Sequence, residues 1–111
     1  MKSSFITNNP NTGEGALTLS DEGEAKNKWS LALGKGTKTT NAETTNAESK
    51  FGELAIGRYN ISNEGTYFSI GIGRDDDSRA NLFEIRYNGN DSSNNGVYYL
   101  GNKINSSGNI S

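Results

Sequence analysis

Cysteine and histidine are both absent from this 111-residue sequence, and proline occurs once. Without cysteine no disulfide framework can staple a small fold. Without either residue the usual Ser-His and Cys-His nucleophile pairs cannot be built. Apolar residues are scarce as well: they make up 31% of the chain, where a globular domain has closer to half. No apolar run approaches the roughly 18 residues of a membrane span, so membrane insertion is not expected. Residues 1–10 carry no apolar stretch like that of a signal peptide, which predicts no export by the general secretory route. The formal charge of −2 shows no basic excess, which argues against nucleic acid as a partner.

A chain this poor in apolar side chains has three routes to a stable state: disorder, cross-linking, or burial against other chains. Cross-linking is excluded. One Trp, five Tyr and four Phe fit disorder badly. Burial against copies of itself is the remaining option. Fourteen Gly, with abundant Asn and Ser, imply frequent turns between short elements.

Residues 1–28 read as a polar leader or attachment segment, with one short strand at residues 16–19 and a helical turn within 21–28. From Trp29 onward three units recur: Ser30-Leu31-Ala32-Leu33-Gly34-Lys35, Glu53-Leu54-Ala55-Ile56-Gly57-Arg58, and Phe68-Ser69-Ile70-Gly71-Ile72-Gly73-Arg74. Each is a strand of alternating aliphatic and small residues ending in Gly and a base. Gly34 and Gly57 lie 23 positions apart, Gly57 and Gly73 lie 16 apart. A near-duplicate, Thr40-Asn41-Ala42-Glu43 then Thr45-Asn46-Ala47-Glu48, accounts for part of the longer interval. Internal repeats of this size predict stacked coils over residues 29–74.

Side chains alternate across a strand. Leu31, Leu33, Leu54, Ile56, Phe68, Ile70 and Ile72 therefore share a face suited to core packing. Ala32, Ala55, Ser69 and Gly71 form a second face, small enough for a neighbouring coil or subunit to approach closely. Residues 82–87 and 97–100 alternate in the same way, and Asn88-Gly89 and Asn95-Gly96 favour hairpin turns. The prediction is a turn and β-hairpin over 75–101, with its loop at residues 88–96, and a loose tail at 102–111. The fold class is thus all-β: short-strand β-roll or β-helix-like repeats followed by a β-hairpin.

Ser30-Leu31-Ala32-Leu33-Gly34-Lys35-Gly36-Thr37 and Leu54-Ala55-Ile56-Gly57-Arg58-Tyr59-Asn60 resemble the coil repeats of trimeric autotransporter adhesin heads. The succession of these coils, Phe68-Ser69-Ile70-Gly71-Ile72-Gly73, a polar turn, Arg79-Ala80-Asn81-Leu82-Phe83-Glu84-Ile85 and Asn88-Gly89 is similar to fibre and appendage proteins of tailed bacteriophages. The resemblance covers residues 30–101. It implies an intertwined homotrimer whose aliphatic face packs at the trimer core. It further implies a location in the virion, other virion proteins as partners, and a role as spacer or cap that touches host-surface glycans.

Candidate sites are few. Glu53, Glu64, Asp75, Asp76 and Asp77 offer carboxylates for glycan hydrolysis, but charged turns explain them as well, and no enzyme is expected. Asp75-Asp76-Asp77-Ser78 lacks the spacing and glycine of a calcium loop. Gly34-Lys35-Gly36-Thr37 lacks the first glycine of a phosphate loop, since Trp29 stands there. Asn60-Ile61-Ser62 and Asn90-Asp91-Ser92 match the glycosylation pattern, as an Asn- and Ser-rich chain does by chance. No metal or cofactor is expected. Stacked in register, Lys35, Arg58 and Arg74 would form a basic column facing acidic glycans or a partner protein. Of the tyrosines, Tyr98 is the candidate for sugar contact, being on the face opposite Tyr87 and Tyr99. Trp29 is placed as a cap on the first coil. Two other readings of the function are a carbohydrate-binding module and the head fragment of a bacterial surface adhesin.

Overall fold

Fourteen residues take the chain once around a narrow coil and return it beside its own starting strand. The computed structural model describes residues 15–39, 52–63, 65–87 and 92–105. Nine strands account for most of these: β1 (Leu17–Asp21), β2 (Glu24–Ala25), β3 (Leu31–Lys35), β4 (Lys38–Thr39), β5 (Leu54–Arg58), β6 (Thr66–Ile72), β7 (Asn81–Arg86), β8 (Gly96–Tyr99) and β9 (Asn102–Lys103). β1, β3, β5 and β6 stack in parallel, Leu17 against Leu31, Leu31 against Leu54, Leu54 against Phe68. β7, β8 and β9 continue the same seven-stranded sheet antiparallel. β2 and β4 form a second, two-stranded parallel sheet that closes the coils. The expected all-β fold of coil repeats running into a hairpin is the one observed: a β-solenoid of about three turns.

The stack begins earlier than the repeats suggest. β1 is a full rung, so a coil precedes Trp29, and residues 24–25 are strand instead of a helical turn. The hairpin pairs Phe83 with Tyr99 and Ile85 with Val97 as its alternation requires. Part of the expected tail is ordered, as β9. The duplicated Thr-Asn-Ala-Glu stretch, Glu64, the Asn88-Gly89 turn and residues 106–111 lie outside the described residues.

Every coil turns two corners at left-handed backbone, and these corners stack. Ahead of the strand stand Gly15, Trp29 and Gly52, with φ of 69°, 55° and 78°; behind it stand Glu22, Gly36 and Tyr59, with φ of 64°, 62° and 42°. Left-handed φ costs an L-residue about 1 kcal/mol, and glycine avoids that strain. Two of the non-glycine residues cover a glycine of the preceding coil: the Trp29 ring lies against Gly15, the Tyr59 ring against Gly36. Trp29 is thus a corner residue within the stack rather than its cap.

The coil interior is built from small and polar side chains. The column Thr18, Ala32, Ala55, Ser69, Glu84 and Tyr98 runs up the inner face of the large sheet, and all six are buried. Among the described residues no Leu, Ile, Val or Phe is buried. Where the second sheet runs out, asparagine side chains replace strands. Asn60 accepts from Lys38 N–H (2.7 Å) and donates to Lys38 C=O (2.9 Å) and Ser69 Oγ (2.9 Å). Asn81 does the same with both backbone groups of Ile61, at 2.8 Å each. An amide carries one acceptor and one donor group side by side, as a strand edge does. Asn60→Leu should therefore lower stability by about 2–4 kcal/mol, at about 1–3 kcal/mol for each backbone group orphaned. Urea unfolding measures this.

Candidate functional site

The interior small column forces the aliphatic residues outward. Two rows cross the outer face of the large sheet. One holds Leu17, Leu31, Leu54, Phe68, Ile85 and Val97; the other holds Leu19, Leu33, Ile56, Ile70, Phe83 and Tyr99. Leu19, Ile85 and Tyr99 are exposed and the rest half-buried. At about 4.8 Å per strand, the rows extend roughly 24 Å from β1 to β8. Contiguous apolar patches of such extent mark interaction surfaces on soluble chains. The period-two alternation identifies both faces, but their orientation differs from expectation. Ala32, Ala55, Ser69 and Gly71 close up inside their own coil, whereas Leu31, Leu33, Leu54, Ile56, Phe68, Ile70 and Ile72 leave the chain's own core and line its surface. The coil interior is lined instead by Ala, Ser, Thr and Asn, whose polar groups bond one another.

The basic column is shorter than expected. Parallel pairing sets Gly57 beside Gly71, so Lys35 aligns with Arg58 and Arg58 aligns with Ile72. Arg74 lies two residues further, in the turn after β6, its N–H bonded to Ser78 C=O. Asp21 heads the column beside Lys35, and Lys35 Nζ lies 3.8 Å from both Asp21 and Glu22. Arg58 extends from the sheet with an exposed side chain. Tyr98 is not a surface contact: it is 6% exposed, donates to Asn94 C=O at 2.6 Å, and lies beneath the Arg86 guanidinium, 4.0 Å from its ring centroid.

Arg79, which the sequence pattern did not single out, ties three coils together. Its Nη1 donates to the carbonyls of Gly36 (2.8 Å) and Asn60 (3.0 Å), its Nε and Nη2 to Asp76, and its guanidinium sits 5.4 Å from the Tyr59 ring centroid. Tyr59 in turn donates to Glu22 at 2.7 Å. Lys38 adds ion pairs to Glu24 and Asp76. The resulting cleft, about 180 Å³, is lined by Glu22, Glu24, Lys38, Tyr59, Asp76 and Arg79. Its charges answer one another. Of the other carboxylates considered for chemistry, Glu53 is buried and accepts from Asn27 and from Ser62, while Asp75 and Asp77 are exposed in the turn after β6. Among the described residues no cluster of three metal-ligating side chains occurs, and no helix is long and apolar enough to cross a membrane.

These pairs make the fold sensitive to acid. The hydrogen bond and charge of Arg79, with help from Lys38, hold Asp76 below the ordinary carboxylate range. Partial burial alone would raise Glu24, but Lys26 and Lys38 outweigh it and lower the carboxyl overall. A carboxyl whose folded pKa lies below its unfolded value stabilises the fold above the unfolded value and stops doing so as pH falls through the folded one. The thermal midpoint should therefore fall as pH drops below about 4, where unfolded carboxyls begin to protonate first. Asp76→Asn should flatten that fall in a series of melts at decreasing pH. No protein-family model, no curated protein and no solved structure matches this chain.

Proposed function

We propose that this chain is a structural segment of a multi-chain surface appendage, such as a bacteriophage fibre, in which three copies join through the outer face of the large sheet. The observation that carries the reading is the inverted distribution of side chains. Alanine, serine, threonine and asparagine fill the interior, and two continuous rows of aliphatic and aromatic side chains lie on the surface. A lone chain in water leaves those rows wet, while association buries them at about 25 cal/mol per Å². The role is mechanical: to project and space, with other virion proteins at its ends and no catalysis. The likeness of Leu31-Ala32-Leu33-Gly34 and Leu54-Ala55-Ile56-Gly57 to adhesin-head coils supports the choice of three copies. Light scattering on the full chain tests it. A mass three times that of one chain is expected; a folded single chain at micromolar concentration would overturn the proposal.

A further inference from the structure

The second sheet ends at β4 and is carried on only by the side chains of Asn60 and Asn81, yet the large sheet runs on through β7, β8 and β9, and beneath this overhang lies a cleft of about 320 Å³. That volume falls at the small end of the range for small-ligand sites, about 300–1,000 Å³. Ile61 and Leu100 form its rim, 40% and 50% exposed; Asn63, Asn81, Glu84 and Arg86 form its polar wall. Glu84 is 2% exposed; its Oε2 accepts from Asn63 Nδ2 at 2.9 Å and from Thr66 Oγ1, and its Oε1 accepts from Arg86 Nη2 at 2.9 Å. Arg86 Nε is buried and has no acceptor. Buried guanidinium donors are ordinarily satisfied.

Leu100 points the same way from independent evidence. With Gly101 it forms a two-residue hairpin turn between β8 and β9, and the two φ values, 51° and 82°, are those of a type I′ turn. That turn favours Asn, Asp or Gly at its first position. A half-exposed leucine there pays in strain for a side chain that no neighbour needs in its own core. Strain of this kind gathers at functional positions.

We infer that this cleft binds a neutral saccharide unit. A donor (Arg86 Nε) beside an acceptor (Glu84) matches a hydroxyl, which accepts and donates at once. Arg86 and Glu84 cancel in charge, and Arg79, which also lines the cleft, is paired with Asp76, so an ionic ligand gains little from these groups. Ile61 and Leu100 offer an apolar rim to the C–H face of a sugar ring. A peptide strand finds no purchase, because β7 and β8 are each paired on both sides. The inference stands whether or not the chain self-associates.

Saturation-transfer NMR on the full chain tests it, with neutral hexoses, N-acetylhexosamines and their disaccharides as probes up to about 10 mM, the weak end of measurable affinity. At least one probe should bind. Leu100→Asn should cut that binding at least tenfold while leaving the thermal midpoint unchanged or raised, since asparagine suits the turn. Ile61→Thr, at an exposed rim position, should weaken it as well. No binding by any probe, or binding that both rim variants leave intact, would overturn the inference; so would capture of a short peptide that the sugars fail to displace.

Discussion

Gly34→Ala should leave the chain unable to fold. Gly34 has a φ of 120°, and a Cβ built there would run into the carbonyl oxygen of Gly57 on the next coil; Gly57, at 96°, stands in the same relation to Gly71. Both partners are backbone, so relief requires the coils to part. The backbone strain alone costs about 1–2 kcal/mol, and separating hydrogen-bonded strands costs several more, against a total of about 5–15 kcal/mol for a domain. Circular dichroism of the variant should show no cooperative melt. Gly52→Ala supplies the control. Gly52 also has positive φ, 78°, but nothing lies within 4 Å of a Cβ there. It should lose about 1 kcal/mol and still fold. Equal losses at the two sites would mean that strand stacking is not what Gly34 protects.

Ile56→Asp should do the reverse, preserving the coil and removing the assembly. Ile56 lies in the middle of the second outer row, half-buried in a single chain. A carboxylate there remains in contact with water while the chain is alone, and the cost to the fold should be about 1 kcal/mol or less. Brought against the same face of another copy it becomes a buried, unpaired charge, which costs several kcal/mol at each interface. Light scattering should report the mass of one chain, with the strand spectrum unchanged. Arg58→Gln, at the charged border of the same face, should leave the mass as it is. A variant that unfolds outright would place Ile56 in the chain's own core instead.

Much of this architecture was legible. Leu31-Ala32-Leu33 and Leu54-Ala55-Ile56 announce strands with unlike faces, and residues 82–87 with 97–100 announce a hairpin, because period-two alternation is a local property. Which face turns inward is not local. It depends on the diameter of the coil, and so on corners at Glu22, Gly36 and Tyr59 that no alternation marks. The strand expected at residues 16–19 does not read as a rung of the repeat, because Ser20 stands where Gly34 and Gly57 stand in later coils. The pattern Leu17-Thr18-Leu19, fourteen residues before Leu31-Ala32-Leu33, was the available signal. Aligning Gly73 with Gly57, when Gly71 is the true partner, carried Arg74 into a column it does not join. The reach of Arg79 to Gly36, 43 residues away, and the cleft beside Leu100 arise only when the turn after β6 and the hairpin fold back on the coils.

The change from parallel to antiparallel pairing at β6 gives the molecule a ruler and a stop. A parallel coil presents the same edge it covers, so fourteen-residue coils can be inserted between β3 and β5 without altering either neighbour. Each should lengthen the rod by about 4.8 Å. The meander of β7, β8 and β9 presents no such edge. Its strands shorten from six residues to four to two, and a short outer strand carrying a Lys is of the kind that discourages further strands from pairing. Coil number therefore sets the length of the parallel stack.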